Sequence, residues 1–189
     1  MVKKKACIFI SGSGSNLKAL IKSSREYGFP IKINYIISNT KKAKGLIIAK
    51  LYKIPYHVLN FKNKLDLEFA LMELKKKNIS IICLAGYMKI LDKKFINRFN
   101  NKIINIHPSL LPKYKGLNTF VRVLKSKEKL TGCTIHYVNN KLDSGRNIVQ
   151  KKIPIFSYDT ENTLKIKVQK KEHRAYSEAI IKIFKASNP

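Results

Sequence analysis

Acidic residues are few in this chain: 11 Asp and Glu stand against 39 Lys and Arg in 189 residues. An excess of that size raises nucleic acid as a partner. Two features argue against a specific one. Only five of the basic residues are arginine, the better reader of base edges. The lysines are spread over every segment and accompany 26 Ile and 16 Asn, a global compositional bias with no single basic stripe. No specific nucleic-acid partner is therefore expected.

Cysteine is also scarce. Cys7, Cys83 and Cys133 are odd in number, widely spaced and each set within an apolar run. Without a C-x-x-C or Cys/His ligand spacing, neither a disulfide framework nor a zinc site is indicated, and buried thiols are expected. No apolar run reaches the roughly 20 residues of a membrane span. The basic start, Met1 to Lys5, leads into Ala6–Ile10, too short for a signal-peptide core and followed at once by a glycine-rich loop. It reads as a first strand, and a cytoplasmic location is the expectation. No linker rich in Pro, Gly or Ser interrupts the chain, so a single domain over 1–189 is expected.

Apolar runs alternate with amphipathic ones. Strands are expected at Ala6–Ile10, Ile31–Ile37, Ile79–Leu84 and Lys102–Ile106, with helices at Asn16–Ser24, Lys42–Tyr52, Leu65–Lys76 and Asp92–Phe99. Continuous apolar strands separated by helices predict an α/β fold: a Rossmann-like, open, mostly parallel sheet with helices on both faces. The later half changes character. Thr131–Val138 and Asn147–Phe156 read as an added antiparallel pair, and a long C-terminal helix runs from about Asp159 to Lys185, capped by Asp159 or Thr160. An open sheet of this kind places ligands at the carboxyl ends of its strands.

The unusual residues fall in those loops. Ser11-Gly12-Ser13-Gly14-Ser15-Asn16 joins a strand to a helix, where glycine backbone and a helix N-terminus favour an anion such as phosphate. Leu17 stands at the third glycine position of a dinucleotide fingerprint, and no Gly-Lys-Ser/Thr ending marks a P-loop, so neither NAD nor ATP is indicated. Asn105 and His107 are two apart on a strand and project from one face, and Pro108 ends the strand beside them. A histidine suits acid–base work near neutrality and an asparagine can donate to a developing oxyanion. Asp143, in the turn Leu142-Asp143-Ser144-Gly145, could approach His107 and raise its pKa.

Four segments in order carry a resemblance: Ile10-Ser11-Gly12-x-Gly14-Ser15-Asn16-Leu17, Leu84-Ala85-Gly86-Tyr87-Met88-Lys89-Ile90-Leu91, Asn105-Ile106-His107-Pro108-Ser109-Leu110-Leu111-Pro112 and Gln169-x-x-Glu172-His173. Together the chain resembles the folate-dependent glycinamide ribonucleotide formyltransferases over nearly its whole length. The resemblance implies the formyltransferase fold, with about 1–100 as a phosphate-binding half and about 101–189 as a catalytic and folate-binding half. It implies formyl transfer from 10-formyltetrahydrofolate to the amine of glycinamide ribonucleotide in purine biosynthesis, without a metal.

Asn105, His107 and Asp143 would then be the catalytic trio. Gly14, Ser15 and Asn16 would take the substrate phosphate, and Gln169 and Glu172 the ribose and amine end. Lys64, Met88, Lys89, Ile90, Leu91, Asn105, Asn139, Asn140, Lys141, Leu142 and Asp143 would line the folate site. The only partners expected are these small molecules, with no membrane, in a monomer or weak homodimer.

The chain departs from the family pattern at Arg146, where the turn usually has Gly-Pro, and at Lys89, usually Arg. Asn118 replaces a usual histidine, and Asp66 falls near a usual arginine, for which Lys64 would substitute. His136, on the strand before the Asp143 turn, could flank the site, whereas His57 and His173 read as structural. The resemblance leaves two rival enzymes, a methionyl-tRNA formyltransferase and a formyltetrahydrofolate deformylase, each of which normally carries a further domain. A non-enzymatic basic binding module is the third rival, and it leaves the trio unexplained.

Overall fold

A computed structural model of the chain describes residues 2–185. Its first compact unit extends to Ile104. There β1 (Lys4–Ile10), α1 (Ser15–Arg25), β2 (Ile31–Ser38), α2 (Gly45–Leu51), β3 (Tyr56–Val58), α3 (Lys64–Lys76), β4 (Ile81–Leu84) and α4 (Lys93–Arg98) alternate along the chain. β1 pairs in parallel with β2 and with β4, and β2 pairs in parallel with β3. Ala6 to Ile10 are all fully buried. Consecutive buried residues mean that both faces of β1 are covered, which is why it reads as an unbroken apolar run instead of an alternation.

The second unit begins at Asn105, inside β5 (Lys102–His107), and continues with α5 (Thr119–Lys125), β6 (Leu130–Tyr137), β7 (Asn147–Pro154) and α6 (Glu161–Lys185). β6 and β7 pair antiparallel, and α6 packs on both. Its buried residues Leu164, Val168, Glu172, Tyr176, Ile180 and Phe184 recur every four positions, with Ala175, Ala179 and Ile183 beside them. A stripe of that spacing is a helix's means of burying one face. The seven strands form one sheet in the order β3-β2-β1-β4-β5-β6-β7, mostly parallel with the antiparallel addition at its end.

Every expected element is present, with ends moved by a few residues. α2 begins at Gly45, not Lys42, and β4 at Ile81, not Ile79. Thr160 is the α6 cap: its Oγ1 accepts the Thr163 N–H at 3.3 Å, and Thr163 Oγ1 accepts the Thr160 N–H at 2.9 Å. That reciprocal pair satisfies donors a helix start would otherwise leave open. α5 was not expected, because seven residues give little periodicity to read. All three cysteines are free and buried, as anticipated. Burial pushes the Cys7 thiol well up and the Cys133 thiol to about 12, so neither supplies a thiolate near neutrality. No helix among the described residues is long and apolar enough to cross a membrane.

Gly14, at the start of α1, has φ of 78°, and a Cβ built there would lie 2.6 Å from the Gly45 Cα. Gly45 in turn donates its N–H to the Gly12 carbonyl at 3.0 Å. Backbone therefore meets backbone at the start of α2, leaving no side chain to swing aside. Gly14→Ala is expected to destabilise the fold by about 1–3 kcal/mol through strain and overpacking, measured as a lower denaturant midpoint at unchanged slope.

Candidate active site

In the first unit, Ser11 ties three loops together. Its hydroxyl donates to Asn39 Oδ1 at 2.5 Å and accepts the Met88 N–H at 2.8 Å. Those bonds join the loops after β1, β2 and β4, all at strand carboxyl ends. Gly14, Ser15 and Asn16 open α1, as the anion-site argument requires, and Asn16 is buried. In the Met88–Leu91 segment Met88 and Ile90 are exposed large hydrophobics, whereas Leu91 is buried. Lys64 is the first residue of α3. Asp66 accepts the Asn60 N–H at 2.6 Å and so is used in a local turn.

In the second unit, the structure brings Asn105, His107 and Asp143 into one largely buried cluster. β5 delivers Asn105 and His107, and the turn after β6 delivers Asp143. His107 Nδ1 lies 3.3 Å from Asp143 Oδ2, with His107 only 7 % and Asp143 only 8 % side-chain exposed. The Asn105 Nδ2 is 3.5 Å from Asp143 Oδ1 and 3.3 Å from His136 Nε2. His136 Nδ1 sits 2.9 Å from the Tyr137 carbonyl, which assigns its hydrogen to Nδ1 and leaves Nε2 to accept from Asn105. His136 thus touches both Asn105 and Asp143 Oδ1, the latter at 3.6 Å, where the sequence suggested only that it could flank the site.

Backbone completes the arrangement. The Gly116 N–H donates to Asp143 Oδ2 at 2.9 Å, and His107 Nε2 faces the Tyr114 carbonyl at 2.8 Å. Neither group has a side-chain signature, so sequence reading had no signal for them. Asp143 itself has φ of 43°, a left-handed conformation that Asp tolerates better than most residues. Gly145 follows closely on the Tyr137 backbone: an added Cβ would fall 1.7 Å from the Tyr137 oxygen.

Electrostatics divide the pair. Burial alone would raise the Asp143 carboxyl, but the neighbouring His136 ring, the Gly116 N–H and the nearby His107 hold it down at about 2. His107 moves the other way from the sequence expectation. Burial is the largest influence and lowers it; the Tyr114 carbonyl and Asp143 push it up, while His136 and Arg122 push it down, and the net direction is downward. Asp143 does favour the imidazolium, but desolvation outweighs it. A neutral ring with its hydrogen on Nε2 satisfies Tyr114 and leaves a bare Nδ1 toward Asp143. The imidazolium alone satisfies both acceptors, so a new negative charge beside the ring would tip it toward protonation.

A cavity of about 390 Å³ opens at Asp143, walled by Pro112, Lys115, Ser144, Arg146 and Asn147 among others. Of the residues expected at a folate site, Asp143 alone borders it. Asn139 Oδ1 accepts the Lys141 N–H at 3.0 Å, shaping the turn, and Leu142 is half exposed. Arg146 stacks its guanidinium 5.3 Å from the Tyr137 ring centre, which directs its bulk onto the protein. Asn118 adopts φ of 54° ahead of α5, a conformation open to Asn. Gln169 and Glu172 lie on α6, with Glu172 buried in the apolar stripe. Of the remaining histidines, His57 Nδ1 bonds the buried Tyr35 hydroxyl at 2.6 Å, a structural role as expected.

A carboxylate, an imidazole and a carboxamide thus meet beside the end of β5, a grouping chemically suited to acid–base work. The chain belongs to the formyl transferase family, whose model matches residues 4–180. It is 42 % identical over 177 residues to the phosphoribosylglycinamide formyltransferase of Haemophilus influenzae, covering 92 % of this chain and 84 % of that protein. It is 41 % identical to part of the human trifunctional purine biosynthetic protein adenosine-3, across 94 % of this chain but only 18 % of that one. The phosphoribosylglycinamide formyltransferase structure from Bacillus halodurans superposes with a TM-score of 0.91 at 35 % identity, covering 98 % of this chain and 97 % of that one.

The folded carboxyl pKa of Asp143, about 2 against 3.8 ordinarily, makes its stabilisation complete above pH 4 and lost as pH falls toward 2. His107, lowered by burial, adds an earlier loss that begins as pH falls below its ordinary 6.5. Asp143→Asn should flatten the steeper limb: between pH 4 and 2 the wild type should lose about 2 kcal/mol more stability than the variant, read from urea unfolding at each pH.

Proposed function

We propose that this chain transfers the formyl group of 10-formyltetrahydrofolate to the primary amine of glycinamide ribonucleotide. The observation that carries the reading is the largely buried cluster of Asn105, His107 and Asp143 in a chain of the formyl transferase family. Its relatives' names supply the amine substrate, and the formyl folate follows from the family resemblance. No metal is assigned a role.

The amine attacks the formyl carbon, and the carbonyl oxygen becomes an oxyanion. Asn105 donates an amide hydrogen to it. The new negative charge offsets the burial that keeps His107 neutral, so the ring takes up the proton released by the amine as that charge appears. Asp143, ionised throughout, balances the imidazolium. Collapse of the tetrahedral adduct breaks the bond to the folate nitrogen, and the proton held by His107 passes to that nitrogen. One proton leaves the amine and one reaches the leaving group, so the site returns to its starting state. Gly14, Ser15 and Asn16 hold the phosphate, with Gln169 and Glu172 on the ribose and amine end. Lys64, Met88 to Leu91 and Asn139 to Leu142 receive the folate.

The test is absorbance-monitored release of the deformylated folate with and without glycinamide ribonucleotide. Transfer should require the amine, and His107→Ala should lower kcat by about 10²- to 10⁴-fold. Release without the amine would reassign the chain to hydrolysis, and transfer that survives in His107→Ala would remove His107 from the chemistry.

A further inference from the structure

His107 and Asp143 depend on one short segment. Tyr114 offers its carbonyl to the imidazole at 2.8 Å, and two residues later Gly116 donates its N–H to the carboxylate at 2.9 Å. The carbonyl belongs to Tyr114, whose φ of 57° is a conformation a bulky residue keeps only where its surroundings hold it.

Those surroundings are polar. The single Tyr114 hydroxyl hydrogen is shared between Ser126 Oγ at 2.6 Å and Glu128 Oε1 at 3.1 Å. Ser126 gives its own hydrogen to the Val123 carbonyl at 2.7 Å, so it can only accept from Tyr114. Glu128 is ion-paired with Lys113 at 2.7 Å. Arg122 places its guanidinium 5.6 Å from the Tyr114 ring centre and donates to the Lys115 carbonyl at 2.6 Å. Packing does not do this work: Lys113, Tyr114 and Glu128 border a cavity of about 290 Å³. With open space on one side of the ring, its hydrogen bonds and the Arg122 contact carry the constraint.

We propose that Glu128 and the Tyr114 hydroxyl are positioning residues for His107. They touch no reacting atom and act by fixing the Tyr114 carbonyl against the imidazole. The groups facing His107 are that carbonyl, Asp143 from the turn after β6, His136 from β6 and Arg122 from α5. Loosening Tyr114 weakens one of the two influences that favour the imidazolium, so the ring should titrate at lower pH. The kinetic consequence rests on the proposed role of His107; the titration does not.

The experiment follows the His107 ring by NMR across pH, with kcat and KM, in Tyr114→Phe, Glu128→Ala, Glu128→Gln and a control, Lys151→Ala, which breaks the surface pair to Glu178. Tyr114→Phe and Glu128→Ala should both lower the His107 midpoint and reduce kcat about three- to tenfold at unchanged KM. Glu128→Gln keeps an acceptor for the tyrosine and should restore most of both. Lys151→Ala should change neither. An unmoved His107 midpoint in folded Tyr114→Phe, or the same losses in Lys151→Ala, would overturn the proposal. Should Tyr114→Phe fail to fold, the contrast between Glu128→Ala and Glu128→Gln decides it. A lowered midpoint with unchanged kcat would uphold the positioning and sink the role of His107 in transfer.

Discussion

The Asp143 carboxylate is the constraint around which the second unit is built. A buried anion must be hydrogen-bonded or it takes up a proton, and Asp143 stays ionised because β5, β6 and the segment after Pro112 all send groups to it. Oδ2 takes the Gly116 N–H and faces His107, while Oδ1 faces His136 and Asn105. Each of these groups is itself held elsewhere: His107 by Tyr114, His136 by the Tyr137 carbonyl. Remove the carboxylate, and the Asn105 amide and the Gly116 N–H both lose an acceptor, while both imidazoles lose the charge beside them. Its left-handed backbone and the close approach of Gly145 to Tyr137 are the local cost of delivering it there.

Both members of the His107–Asp143 pair titrate below their ordinary values, which keeps the carboxylate charged and favours a neutral ring. A histidine already protonated at neutral pH could stabilise an oxyanion but could not accept the amine's proton. A histidine held neutral by burial, with two acceptors placed for the imidazolium, can do both in sequence. In the proposed transfer, the charge that tips it is the one the reaction creates. This is electrostatic preorganisation: the groups wait in position, and only the proton moves.

The departures from the family pattern are absorbed locally. Asn118 suits the positive φ it adopts, Arg146 lies along the Tyr137 ring, and Asp66 closes a turn with Asn60. None of them intrudes on the Asn105, His107 and Asp143 cluster.

Much of this protein was legible in its residues. β1 is an unbroken apolar run because both its faces are covered, and α6 carries its four-residue stripe because one face is buried; each is a local pattern with a local cause. Asn105 and His107 share a face because the period of a strand is two, and Pro108 marks where that strand ends. What sequence could not supply is distance. Asp143 is 36 residues beyond His107, and only the return of β6 beside β5 brings it within 3.3 Å. The sign of the His107 shift was misread for the same reason: a carboxylate neighbour can be guessed from a motif, but desolvation depends on everything packed around the ring. Tyr114 and Gly116 act through backbone atoms that every residue possesses, so no residue type announces them. Local periodicity is written in the chain; proximity, burial and the direction of a carbonyl are properties of the folded whole.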